Sequence, residues 1–290
     1  MINYAKARAW QSGDVRQAYA AKDTILYALG LGLGSDPLDT NQLRFTYEKD
    51  LLALPTMAAV LASPGPWMRD RLELGIDFLR MVHGEQSIVI HTPLRPSGGV
   101  IGRSRVARLV DKGEGKGAIM HVEKELRDEA SGDLIATTEQ VLFLRGDGGF
   151  SKSGQGDPPA AKLEKLPDLP VENVMDLPTR ADAALLYRLS GDMNPLHVDP
   201  AIAAKAGFPR PILHGLATYG VACHGIVKTF CAYEPARLRT FRARLSSPVF
   251  PGEVIRLEAR RAGEGEVSFQ GRVLEREVVV LADGRATFKV

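Results

Sequence analysis

Apolar and polar residues alternate over two long stretches of the chain, one in each half, and each stretch follows a segment that reads as helical. In the first half Ser87 to Leu94, Val100 to Val110, Gly117 to Arg127 and Leu134 to Leu144 carry β-branched, alternating residues. Turn clusters such as Gly113-Glu114-Gly115 and Ser131-Gly132-Asp133 separate them. This pattern predicts an antiparallel meander. The second half repeats it with Val254 to Arg261, Glu266 to Glu275, Val278 to Leu281 and Arg285 to Val290, broken by Gly263-Glu264-Gly265 and Asp283-Gly284. The two Gly-Glu-Gly turns match, and Pro96-Ser97-Gly98-Gly99-Val100-Ile101 loosely echoes Pro251-Gly252-Glu253-Val254-Ile255, which together suggest a weak internal duplication. Between the halves, Gly148 to Pro170 is rich in Gly, Pro, Lys and Asp and has no apolar period. Residues 1–150 therefore read as one domain, 151–170 as an exposed linker and 171–290 as a second domain.

Leu216 to Phe230 is apolar nearly all round, the mark of a helix buried on most sides. An α+β unit with a long antiparallel sheet curved around such a helix satisfies both patterns, and two units side by side would join their sheets. Periodicity alone permits other α+β layouts equally well.

Composition narrows the function classes. The chain has 290 residues, 44% of them hydrophobic and 25% charged, as expected of a packed globular protein. Its 37 basic and 35 acidic side chains are spread without blocks, so nucleic acid is a poor candidate partner. No basic-then-apolar leader opens the sequence and no apolar run is long enough for a membrane span, so a cytoplasmic location with no membrane partner is expected. Cys223 and Cys231 lie eight positions apart in one expected helix, too far for a disulfide, and read as packed thiols.

The segment most charged with chemistry is Tyr187-Arg188-Leu189-Ser190-Gly191-Asp192-Met193-Asn194-Pro195-Leu196-His197-Val198-Asp199. It puts a carboxylate, an amide and an imidazole close together, and Asn194-Pro195 disfavours a continuing helix, so a turn can aim Asp192 and His197 into one space. Taken alone, an Asp-x-Asn-Pro turn reads more readily as a helix cap beside a surface histidine. Further on, Pro211-Ile212-Leu213-His214-Gly215-Leu216-Ala217 opens the apolar helix. Gly215 then stands at a helix N-terminus, where N–H groups lack partners and the dipole favours negative charge. Its alternative is a glycine that merely allows tight packing.

These two segments resemble the hydratase 2 motif and the Pro-Ile-Leu-His-Gly-Leu stretch of the MaoC-like hydratase family. The resemblance extends into the first half, where Asp23 to Gly32, Leu54-Pro55-Thr56, His83-Gly84-Glu85-Gln86 and Asp111-Lys112-Gly113 resemble two-domain hydratase 2 proteins. It implies the double hotdog fold, with two antiparallel sheets, each wrapped around a central helix, joined side by side. It also implies (R)-specific addition of water to a trans-2-enoyl-CoA, or the reverse, with no metal and no cofactor beyond the coenzyme A of the substrate.

Asp192 and His197 are implied as the dyad that holds the water, Asn194 as the residue that steadies their loop, and Gly215 as the oxyanion donor. The first half lacks the motif, so one site per chain is expected, with His83, Gly84 and Lys112 as substrate contacts. Lys112 reads equally well as a solvated lysine before a turn, and His83 as purely structural. Relatives often carry a ligand-touching phenylalanine where this chain has Leu245, which puts ligand packing in question. Arg242 and Arg244 alternate with apolar residues and face either solvent or the coenzyme A mouth. His214 is expected to orient the turn and His224 to be a satisfied core histidine.

Other readings are a dehydratase acting on a carrier-protein, sterol or polyketide thioester, a hotdog thioesterase, and a non-catalytic acyl-CoA binding module. The helix from Leu216 to Phe230 contains no Asp or Glu, which counts against the thioesterase. Both a monomer and a homodimer are compatible with a chain that already contains two paired units.

Overall fold

A computed structural model of the protein describes residues 2–161 and 170–290. Residues 162–169 of the expected linker lie outside the described residues. Among the described residues ten strands form one antiparallel sheet. They are β1 (Val15–Tyr19), β2 (Met81–Ile90), β3 (Gly98–Asp111), β4 (Ala118–Asp128), β5 (Leu134–Leu144), β6 (Asn173–Pro178), β7 (Leu238–Leu245), β8 (Val254–Gly263), β9 (Glu266–Val273) and β10 (Val278–Phe288).

Their order is β1-β3-β4-β5-β2-β7-β10-β9-β8-β6, which reads as the same arrangement from either edge toward the β2–β7 seam. The matching Gly-Glu-Gly turns join β3 to β4 and β8 to β9, equivalent places in the two halves. At the seam Glu85 pairs with Arg244 and Ile88 with Phe241.

Strand β9 shows why the pattern was readable, since its burial alternates residue by residue, with Val267, Phe269, Gly271 and Val273 facing inward. The expected break at Asp283-Gly284 is corrected. Strand β10 runs through it as a bulge, with register shifts against both β7 and β9 and Asp283 at φ 51°. Turn residues within a strand accommodate an extra residue without ending it. The linker also begins docked: Asp157 pairs with Arg8 at 2.8 Å and accepts the Leu109 N–H at 2.7 Å.

The helix Gly215–Phe230 is buried continuously from Ala217 to Val227. It lies against β2, β6, β7, β8 and β10 and against the short 3-10 helix Pro55–Ala59 of the first half. A Cβ at Gly220 would stand 2.8 Å from the Leu31 side chain, so this position trades helix propensity for contact with the first half. Where the second half holds this four-turn helix, the first half holds Pro55–Ala59, all five residues buried.

Cys223 and Cys231 are both buried and unpaired. His224 is buried on the same helix, but its Nε2 has no hydrogen-bond partner among the described residues, so the expectation of a satisfied core histidine is corrected. Burial without a compensating bond holds its pKa down to about 4 and keeps the ring neutral.

Lys124 in β4 is 5% exposed, and its ammonium donates to the carbonyls of Ala59 at 2.9 Å and Leu61 at 2.5 Å, holding the end of the 3-10 helix. Desolvation lowers its pKa to about 7. The unfolded chain then binds one more proton than the folded chain between about pH 7 and the ordinary lysine value of about 10.4, so this group adds stability as pH rises through that window. Thermal unfolding across pH 7–10 is expected to shift in favour of wild type over Lys124→Met by up to about 1.4 kcal/mol per pH unit. A pH-independent difference would show that Lys124 is not desolvated.

Candidate active site

Two short turns and a helix start build the site. The helix Ala183–Tyr187 runs into a 3-10 turn, Arg188–Ser190, and Gly191 at φ 127° ends it in a conformation that favours glycine. The chain then folds back through consecutive side-chain turns. Asp192 Oδ1 accepts the N–H of Asn194 at 3.1 Å, and Asn194 Oδ1 accepts the N–H of Leu196 at 3.1 Å. Pro195–His197 forms a second 3-10 turn, and Asp199 caps the helix Pro200–Lys205. Asn194 thus sets the backbone between Asp192 and His197, with its side chain engaged in the loop.

His197 is buried, and its Nδ1 donates to the Ile212 carbonyl at 2.8 Å. A carbonyl only accepts, so the neutral ring carries its hydrogen on Nδ1 and leaves a lone pair on Nε2. Burial, opposed by that bond and by Asp192, lowers the His197 pKa.

The His214 ring stacks on His197 at 3.7 Å between centroids and 28° between planes, and its Nε2 donates to the Asp192 carbonyl at 3.1 Å. Ligand atoms of Asp192, His197 and His214 all lie within 4.8 Å of one another. Such a set invites a cation, but a ring nitrogen donates in its own plane, and lone pairs on nearly stacked rings run side by side instead of converging. His197 Nδ1 and His214 Nε2 are also committed to carbonyls. The arrangement fits a metal poorly.

Gly215 is the first residue of the long helix, so the helix itself provides no acceptor for its N–H. A Cβ there would stand 2.7 Å from Leu245 Cδ1, which places Leu245 of β7 directly over the helix start. His83 and Gly84 enter from β2 in the other half, with Gly84 as the extra residue of a bulge against β5. His83 Nε2 donates to the Glu85 carbonyl at 3.0 Å, and burial pushes its pKa down to about 4 against the pull of the nearby Asp192 charge.

Lys112 stands apart from this group. It is exposed at the β3–β4 turn, with its ammonium 5.7 Å from the Phe143 ring, and Phe143 pairs with Val82 beside His83. Arg242 pairs with Glu85 at 2.8 Å and Arg244 with Asp283 at 3.1 Å, both on the sheet face opposite the helix. Tyr187, at the head of the motif, is fully buried and packs against His214 at 5.1 Å and against Tyr27 of the first half at 5.7 Å. Its place at the head of the motif was the available signal.

A bent sheet around one buried helix, with an Asp–His pair beside the helix start, defines a MaoC-like protein of the double hotdog fold. Residues 17–146 match the family model described as MFE-2 hydratase 2 N-terminal domain, and residues 162–283 match the MaoC like domain. The chain is 39% identical to "Enoyl-CoA hydratase 2, peroxisomal" of Arabidopsis thaliana, over 93% of this chain and 90% of the relative. It is 40% identical to "3-hydroxyacyl-thioester dehydratase Y" of Mycobacterium tuberculosis, over 92% of each. The crystal structure of a MaoC-like dehydratase from Phytophthora capsici superposes with a TM-score of 0.85 at 31% identity, covering 99% of this chain and 98% of that one. The chain belongs to the enoyl-CoA hydratase 2 family.

Because burial favours the neutral ring, His197 is expected to titrate below the ordinary histidine value of about 6.5 and to be uncharged at pH 7. Ring-carbon NMR of labelled histidine measures this directly. A midpoint above about 6.5 would show that the imidazole is solvated or held as a cation.

Proposed function

We propose that the protein catalyses (R)-specific hydration of a trans-2-enoyl-CoA to a (3R)-3-hydroxyacyl-CoA, or the reverse dehydration. One observation carries this reading: a carboxylate oxygen of Asp192 and a ring nitrogen of His197 lie within 4.8 Å of one another, beside a helix start whose Gly215 N–H has no partner among the described residues. A gap of at most 4.8 Å is bridged by a water making two hydrogen bonds of about 2.8 Å.

With both its hydrogens directed at the pair, such a water presents oxygen to the β-carbon. The oxygen–carbon bond forms as one O–H bond breaks, and the proton taken by the dyad passes to the α-carbon on the same face. Charge that accumulates meanwhile on the thioester oxygen is met by the Gly215 N–H and the positive end of the helix; losing such a donor costs about 3 to 4 kcal/mol in other enzymes. Adding water transfers no electrons and no carried group, so the residues present suffice without a cofactor.

The His83-Gly84 bulge offers the first half's contact to the substrate, Leu245 shapes the space over Gly215, and Lys112 at the same end of the sheet supplies a cation for coenzyme A. A homodimer accords with this reading without being required by it. The physiological direction and the carrier, coenzyme A or a carrier protein, are the finer part of the proposal; the Mycobacterium tuberculosis relative is named for dehydration. Among the described residues no helix is long and apolar enough to cross a membrane. A cytoplasmic location is part of the proposal, while the Arabidopsis relative is named peroxisomal.

Mixing the protein with crotonyl-CoA and longer trans-2-enoyl-CoAs should abolish the absorbance of the conjugated thioester and yield the (R)-3-hydroxy product. Asp192→Asn and His197→Ala should each lower kcat by roughly 100- to 10,000-fold. An (S) product, release of free coenzyme A, or full activity in either variant would overturn the reading.

A further inference from the structure

His214 occupies the residue just before the long helix, where Ser, Thr, Asp or Asn ordinarily caps a first-turn N–H. Its side chain makes no such cap. The ring turns away from the helix, lies flat on His197 at 3.7 Å, and donates from Nε2 to the Asp192 carbonyl at 3.1 Å. Tyr187 closes part of the His214 surroundings at 5.1 Å, and the whole residue is 1% exposed. One side chain therefore touches the backbone of one member of the pair and the ring of the other, and its own backbone leads directly into Gly215.

Resting on the hydratase reading above, we propose that His214 is a positioning residue of the hydration site. It fixes the separation of Asp192 and His197, keeps solvent off one face of the His197 ring, and leaves the helix start open to the substrate oxygen. A conventional cap would bond the N–H of Leu216 or Ala217 and leave the Asp192 carbonyl and the His197 ring without this contact.

The neutral state of His214 follows from its contacts. The Asp192 carbonyl requires a hydrogen on Nε2, so a second proton would go to Nδ1, which is buried with no partner among the described residues. Charge there would stand against the His197 ring and near Arg188, with Asp192 as the opposing attraction; burial is the largest influence and holds the His214 pKa at about 4. His214 is thereby a spacer and donor across neutral pH, never a competing base for the water.

Two substitutions separate its contacts. His214→Phe keeps a flat ring over His197 but cannot donate to Asp192, so kcat should fall roughly 10- to 100-fold while KM changes little and the acid limb of the kcat profile stays in place. His214→Gln can donate to Asp192 but leaves the His197 face open to water. Its acid limb should rise by about half a pH unit or more toward the ordinary histidine value.

Ring-carbon NMR titration of His197 in wild type and His214→Gln reads the same shift without substrate. It distinguishes failure of this proposal from failure of the hydratase reading. Wild-type kcat and pH profile in both variants would overturn the positioning role, as would a loss of thermal stability with the His197 titration unmoved in the Gln variant.

Discussion

A helix that is apolar on every side has to be surrounded, and the packing of Gly215–Phe230 imposes this requirement on the rest of the molecule. Strands β6, β7, β8 and β10 cover it from its own half, and β2, Leu31 and the Pro55–Ala59 turn cover it from the other. The sheet must therefore curve and continue across the β2–β7 seam instead of ending at it. Burying side chains such as Val221, Ile226 and Val227 contributes roughly 1.5 to 3 kcal/mol each, so no small change elsewhere readily dislodges the helix. Its N-terminal end is consequently a fixed point, and the Gly215 N–H there, without a partner among the described residues, points to a fixed place.

Chemistry is assembled around that point from parts with little order of their own. The motif loop has no regular hydrogen-bond ladder from Gly191 to Asn194, and it is held by two side-chain turns, the Nδ1 bond of His197 to Ile212 and the His214 donor to Asp192. The last two bonds tie the loop to the segment that enters the long helix. Leu213 anchors that segment in turn, donating to the Val249 carbonyl at 2.7 Å. Precision in the loop thus derives from the helix, and the loop stays open enough for Asp192 to be exposed while His197 is buried.

Much of this was written locally in the chain. The alternation of β8 and β9 and the apolar run of the long helix located those elements within a residue or two, because each follows from contacts its own residues repeat. Asp192, Asn194 and His197 were legible as a turn for the same reason. What escaped depended on distant partners. Asp283-Gly284 has turn chemistry, yet pairing on both sides carries β10 through it, and the missing partner of His224 is a property of the packed core. The placement of His83 near Asp192 joins residues far apart in sequence; the family resemblance implied it as a substrate contact, but no local pattern encodes it. Lys112 was legible from its own neighbours as a lysine at a turn and only through the resemblance as a substrate contact, and it lies at the same end of the sheet without being seated among the dyad.

The two cysteines have a bearing on the substrate proposed for the site. A conjugated thioester is a Michael acceptor, ready to alkylate any thiolate it meets. Only two thiols exist in the sequence, Cys223 and Cys231, and both are sealed in the core with burial raising their pKa, that of Cys231 to about 11. The protein can hold an electrophile for many turnovers with no sulfur nucleophile on its surface for that electrophile to inactivate.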